Sequence, residues 1–166
     1  MTNALTLTTP TDTEIVMIRS FDAPPSLLFD ALTRPELLVR WHGAHGWNLV
    51  VCEVDLRVGG AWRFVSRGPD GAELGHRGVY REISAPARLA YTESFDDQWF
   101  PGEAVVTATL DERAGRTGPI TTLTTRVDYP SREVRDIALR SPMERGLAES
   151  YRRLDAALAA TGKDRT

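Results

Sequence analysis

Lysine is almost missing from this 166-residue chain: Lys163 is the only one, and arginine carries nearly all the positive charge. No basic block stands out, and the formal net charge is −3. Phosphate recognition needs clustered Lys and Arg, so the composition argues against nucleic acid as a partner. Cysteine is just as scarce. Cys52 stands alone, which rules out an intrachain disulfide. It sits in an apolar strand, where a buried and inert thiol is expected. No hydrophobic run approaches the length of a membrane span. No basic stretch followed by an apolar run opens the chain. The expectation is therefore a cytoplasmic protein with no membrane insertion. Gly-x-Ser-x-Gly is missing, no phosphate loop appears, and Cys52 has no neighbouring base, so no nucleophile motif is present.

What remains is an ordinary globular composition, long enough for one domain and a sizeable core. Residues 1–13 are rich in Thr, with Pro10 and few large apolar groups, and read as a flexible arm. A single domain is expected over 14–161 and a flexible tail over 162–166. A first strand is expected at Glu14–Phe21. Asp22-Ala-Pro-Pro25 ends it and opens a short helix, since proline suits a first helical turn. Thr33-Arg-Pro35 breaks that helix, and Leu37, Leu38 and Trp41 mark a second one. Six further strands follow at about 47–55, 60–66, 73–83, 88–95, 104–111 and 121–129, each bounded by turn residues. Between the first and second of them, Asp55-Leu-Arg-Val-Gly-Gly-Ala-Trp62 puts a Gly59-Gly60 corner between two strands.

The C-terminal part reads as helix. Ser131 caps a first helix. Ser141-Pro142-Met143-Glu144 then restarts it as a capping box, with Ser141 as the cap. Met143, Leu147, Tyr151, Leu154 and Leu158 form one apolar stripe. Gly146 and Ser150 lie beside it. A glycine inside a helix costs roughly 1 kcal/mol relative to alanine, so Gly146 serves either close packing on the sheet or space for a ligand under the helix.

Strand parity sorts residues by face. Leu89, Tyr91, Glu93 and Phe95 share one face of their strand, and Leu74, His76, Gly78 and Tyr80 the matching face of the preceding one. Closing the hairpin at Ala85-Pro86 pairs Tyr80 with Tyr91, Gly78 with Glu93 and His76 with Phe95. His76 and Glu93 become diagonal neighbours. Closing the Gly68–Gly71 loop sets Trp62 opposite His76. Val106, Ala108, Leu110, Leu123, Thr125 and Val127 extend the same face. The outcome is an apolar concave wall that holds one carboxylate and one imidazole, with glycine leaving room beside Glu93. A carboxylate among aromatics resists ionising unless a cation pairs with it. The pair is either a polar anchor or acid/base couple in a ligand pocket, or a hydrogen bond that fixes the sheet. His42 and His45 are three apart, but with Cys52 and Asp55 they fit no zinc pattern, so no metal and no cofactor are expected. Asp96-Asp-Gln-Trp-Phe100 reads as a loop over the cavity mouth or a small satellite cluster.

Several motifs together resemble the START-like (SRPBCC) superfamily, in its branch of heat-shock-protein ATPase activator homologues. They are Arg19-Ser-Phe21 with Pro25, Thr33-Arg-Pro-Glu36 leading to Arg40-Trp41, Asp55–Trp62, Gly78-Val-Tyr80, Pro86-Ala-Arg-Leu89 and Met143-Glu-Arg-Gly146. The resemblance covers about residues 14–160. It implies an α+β helix-grip fold: a curved antiparallel sheet of about six or seven strands wrapped around a long C-terminal helix, with two short helices after the first strand. On that fold the cavity lining is expected from Trp41, His42, Trp62, Phe64, His76, Tyr80, Tyr91, Glu93, Phe95 and Val106, and from Met143, Gly146, Leu147 and Ser150 on the helix. Many relatives have a second aromatic in place of His42, a proline in place of Ala44 and an aromatic in place of Leu147, so ligand preference does not transfer. The expected function is binding of a small hydrophobic molecule (a lipid, polyketide or aromatic metabolite) without catalysis, by a monomer or homodimer. Two alternatives stand beside it. One is a polyketide cyclase/aromatase-like enzyme using Glu93 and His76. The other is a co-chaperone-type domain that stimulates a heat-shock ATPase.

Overall fold

The computed structural model describes residues 3–97 and 102–164. Its elements run β1 (Thr6–Thr8), β2 (Glu14–Phe21), α1 (Pro25–Thr33), α2 (Pro35–Trp41), β3 (Asn48–Val54), β4 (Ala61–Arg67), β5 (Glu73–Ser84), β6 (Arg88–Phe95), β7 (Ala104–Ala114), β8 (Pro119–Asp128), α3 (Arg132–Arg140) and α4 (Met143–Asp164). The strands form one antiparallel sheet, in the order β1-β2-β8-β7-β6-β5-β4-β3. Chain order and sheet order therefore agree from β3 to β8, while β2 crosses over to lie beside β8. The expected α+β helix-grip architecture is present, with one strand more than the sequence reading allowed.

That extra strand is β1, inside the segment read as a flexible arm. Leu7 pairs with Met17 and Thr8 with Val16. Leu5 and Leu7 are half-buried against the core, while Thr6 and Thr8 face solvent. The alternation Leu5-Thr-Leu7-Thr was legible but short, and threonine richness masked it. At the other end, α4 continues to Asp164, so helix occupies part of the segment read as a tail.

Local chemistry explains the helix ends. Pro25 and Pro35 open α1 and α2 where a missing N–H costs nothing. The Trp41 indole N–H donates to the Ala31 carbonyl at 2.9 Å and ties α2 to α1. Ser131 caps α3, its hydroxyl accepting from Val134 N at 3.2 Å. The capping box expected at Ser141 is not formed. The Ser141 hydroxyl instead donates back to the Ala138 carbonyl at 2.6 Å, so it serves the end of α3 rather than the start of α4.

Two apolar clusters hold the layers together. One joins α1, α2 and the middle of α4 (Tyr151, Leu154, Leu158) to the sheet through Phe21, Leu28, Leu38 and Leu123. The other gathers Ile15, Met17, Ala104, Val106, Val127 and Tyr129 under Val134 and Ala138 of α3. Arg19, buried on β2, makes a two-pronged pair with Asp155 of α4 at 2.8 and 2.6 Å, with its guanidinium 4.6 Å from the Phe21 ring centre.

Candidate functional site

Between sheet and α4 lies a cavity of about 930 Å³. The structure places the fourteen residues singled out above around this hollow. Trp41 and His42 come from the end of α2, Trp62 and Phe64 from β4, His76 and Tyr80 from β5. Tyr91, Glu93 and Phe95 come from β6 and Val106 from β7. Met143, Gly146, Leu147 and Ser150 look down from α4. Sequence reasoning missed Met17, Trp47, Tyr129 and the rim residues Arg145 and Glu149. Met17 lies on an alternating strand and was within reach of the parity argument. The others depend on how loops and the helix start fold back, which no local pattern reports.

Register decides who meets whom. Tyr80 pairs with Tyr91 and His76 with Phe95, as expected. Trp62 does not stand opposite His76. It pairs with Gly78, and Phe64 takes the place opposite His76. The reason is a longer loop: Arg67 pairs with Glu73, and Gly68 N donates to the Ala72 carbonyl. A slip of two residues keeps every side chain on its face, so the lining survives the error. Gly78 also has a different purpose from the one expected. A Cβ there would run into the Thr92 carbonyl oxygen and the Trp62 indole nitrogen. The missing side chain lets two backbones approach; it does not open space beside Glu93.

The centre of the site is His76. Its ring stacks on Phe95 at 5.2 Å and 7° and on His42 at 5.7 Å and 29°. Trp62 and Phe64 meet it edge-on at 5.2 and 5.6 Å. Its Nδ1 lies 3.1 Å from Glu93 Oε2, so the two residues share a hydrogen bond inside the cavity wall. Burial pushes the His42 imidazole down to about 3, helped by nearby His76 and Arg153, so this ring is neutral at ordinary pH. Burial likewise raises the phenols of Tyr80, Tyr91 and Tyr129, and lifts Tyr151 to about 12. The His42 ring and these phenols are thus uncharged near neutral pH. His42 Nδ1 and Trp62 Nε1 are buried without a hydrogen-bond partner among the described residues.

The histidine pair His42 and His45 does not converge on a metal: among the described residues no group of three or more His, Cys, Asp or Glu is placed to hold one. Burial pushes the Cys52 thiol up to about 11, in keeping with an inert group. Of the expected mouth loop, Asp96 is engaged by Arg63 at 3.0 and 2.7 Å, and residues 98–100 lie outside the described residues.

A sheet curved around a long C-terminal helix, with an aromatic-walled hollow between them, defines a START-type helix-grip domain. Residues 22–159 match the family described as "Activator of Hsp90 ATPase homolog 1-like protein". The chain belongs to that family. Among solved structures it is similar to a Rhodobacter sphaeroides protein, at 35% identity over 94% of this chain and 98% of that one, with a TM-score of 0.84. A Mycobacterium smegmatis protein shares the fold at 24% identity, 95% and 99% coverage and a TM-score of 0.82. An HSP90 activator from Plasmodium falciparum is more distant, at 24% identity, 71% and 74% coverage and a TM-score of 0.52. Comparison with curated proteins finds no match. Among the described residues, no helix is long and apolar enough to cross a membrane.

Proposed function

We propose that the protein binds a small hydrophobic molecule in this cavity and does so without catalysis. The observation that carries the reading is a hollow of about 930 Å³ walled by aromatic and aliphatic side chains, with the His76–Glu93 pair as its internal polar feature. Small-molecule sites span roughly 300–1,000 Å³ and combine apolar walls with a few placed polar groups. Gly146 adds support, because a Cβ there would meet only Ala44, at 3.9 Å; the helix glycine leaves space. The fourteen lining residues are the proposed ligand contacts, with Glu93 and His76 as the polar anchor.

The test is a thermal-shift screen of neutral and anionic hydrophobic compounds, followed by titration of the hits. A ligand of the native state raises Tm in step with its concentration over Kd. Saturable one-to-one binding that survives Glu93→Gln with a modest change in affinity, and no turnover of the bound compound, is the expected result. Absence of saturable binding across the screen refutes the reading.

Two observations favour other readings. The 3.1 Å His76–Glu93 contact suits an acid/base couple, and in that case a bound compound is converted by the parent and left unchanged by Glu93→Gln. The family's name and the exposed Leu56 and Val58, in the turn before β4, suit a chaperone-directed role. Stimulation of a heat-shock ATPase at saturating protein decides that one.

A further inference from the structure

One end of the cavity is bordered by residues that also reach solvent. Most lining residues are buried or half-buried, but His45, Leu74, Pro142 and Arg145 line the hollow and are also exposed to solvent. They belong to three neighbouring pieces: the 42–47 segment between α2 and β3, the β4–β5 hairpin, and the start of α4. The 42–47 segment contributes His42, Gly43, Ala44, His45 and Trp47 to the lining. Its two ends are anchored by rings, His42 against Phe64 and His76 and Trp47 over Gly68, while its links to α4 are polar. Gly43 N donates to Ser150 Oγ at 3.0 Å, and His45 N to Glu149 Oε2 at 2.9 Å. Arg153 donates to the carbonyls of Gly43 and Trp47 at 3.0 and 2.7 Å, and to Asn48 Oδ1 at 3.0 Å. Every one of these bonds comes from α4. The backbone reverses at Gly43 and Gly46, with φ of +122° and +85°. Facing the strap, Gly146 offers no side chain, and Ala44 is the nearest contact a Cβ there would make.

We infer that the 42–47 strap is the gate through which ligand reaches the cavity, with Ser150, Glu149 and Arg153 of α4 as its latch. Hydrogen bonds to backbone atoms can be exchanged for water bonds at small net cost, whereas parting the apolar layers elsewhere exposes core. A segment held by such bonds and bounded by glycines is where local opening is cheapest. The inference rests on the ligand-binding reading of the same cavity.

The structure supplies its own lock. The Cβ positions of residues 44 and 146 are 3.9 Å apart, inside the range that a disulfide spans. Ala44→Cys with Gly146→Cys, in a Cys52→Ser background, joins strap to helix without moving either. The probe is N-phenyl-1-naphthylamine, a neutral fluorophore, followed by stopped flow. The reduced double variant, not the parent, is the reference, because Gly146 is itself one of the proposed contacts. The oxidised protein is expected to exchange it at least tenfold more slowly, and reductant to restore the rate. Arg153→Ala is expected to accelerate both uptake and release several-fold. Oxidised and reduced proteins exchanging at rates within twofold overturn the gate and leave the cavity reading intact. Failure of the crosslink to form overturns it as well, since it denies the contact between strap and helix. A parent protein that takes up no probe overturns the inference together with the reading beneath it.

Discussion

Glycine at 146 sits near the start of a 22-residue helix, where almost any other residue favours helix better. If close packing required it, a methyl group there would collide with the sheet. The geometry indicates the opposite: an added Cβ touches only the Ala44 Cβ at 3.9 Å, an ordinary van der Waals distance. Gly146→Ala therefore removes backbone entropy from the unfolded chain and adds a contact without strain. The expected gain is about 0.5–1 kcal/mol. For a domain of this size that is roughly 1–4 °C in Tm. Urea unfolding followed by circular dichroism gives the free energy, with an unchanged m-value confirming the same folded and unfolded states. Gly146→Leu extends the test into the hollow. It is expected to keep the fold and to weaken binding of N-phenyl-1-naphthylamine at least tenfold. A destabilisation of Gly146→Ala by more than about 0.5 kcal/mol would refute the reasoning, because it would mean the helix is already in contact there.

Gly78→Ala is expected to behave in the contrary way, losing about 1–3 kcal/mol in the same unfolding assay, because its Cβ meets the Thr92 carbonyl inside the sheet. His42 makes stability depend on pH. Its folded-state pKa of about 3 lies below the unfolded value of about 6.5, so between these values the unfolded chain binds a proton that the folded chain does not. Stability is then full above about pH 6.5 and falls as the pH drops toward 3, by about 1–2 kcal/mol at pH 5 once water in the adjoining hollow is allowed for. His42→Phe should flatten this part of the stability-versus-pH curve; an unchanged slope would place the imidazole in contact with bulk solvent.

Much of the site was legible because cavity walls made of strands obey a parity rule. Tyr91, Glu93 and Phe95 fall on one face by alternation alone, and their partners Tyr80 and His76 follow from a tight hairpin at Ala85-Pro86. Trp62 shows the limit. Its partner depended on how many residues the Gly68–Ala72 loop uses, and loop length is not written in strand periodicity. The error was even, so it exchanged neighbours along a face and left the face intact. Ser141 was misread because a hydroxyl flanked by two helices has two backbone claimants, and sequence does not say which is nearer. The arm was misread because a three-residue edge strand gains its order from pairing with β2, a contact ten residues away for Leu7 and Met17. The strap was illegible for a related reason. Arg153 lies more than a hundred positions from the carbonyls it holds, and only the closed fold brings them together.

The hydrogen-bond ladder of the sheet is made by backbone atoms, and the hollow is faced by every second side chain standing off it. Replacing one of those inward groups by another of similar bulk leaves the ladder untouched. The contour of the hollow can thus be changed by a handful of exchanges, with the outward-facing residues, the helix caps and the Arg19–Asp155 brace all left as they are.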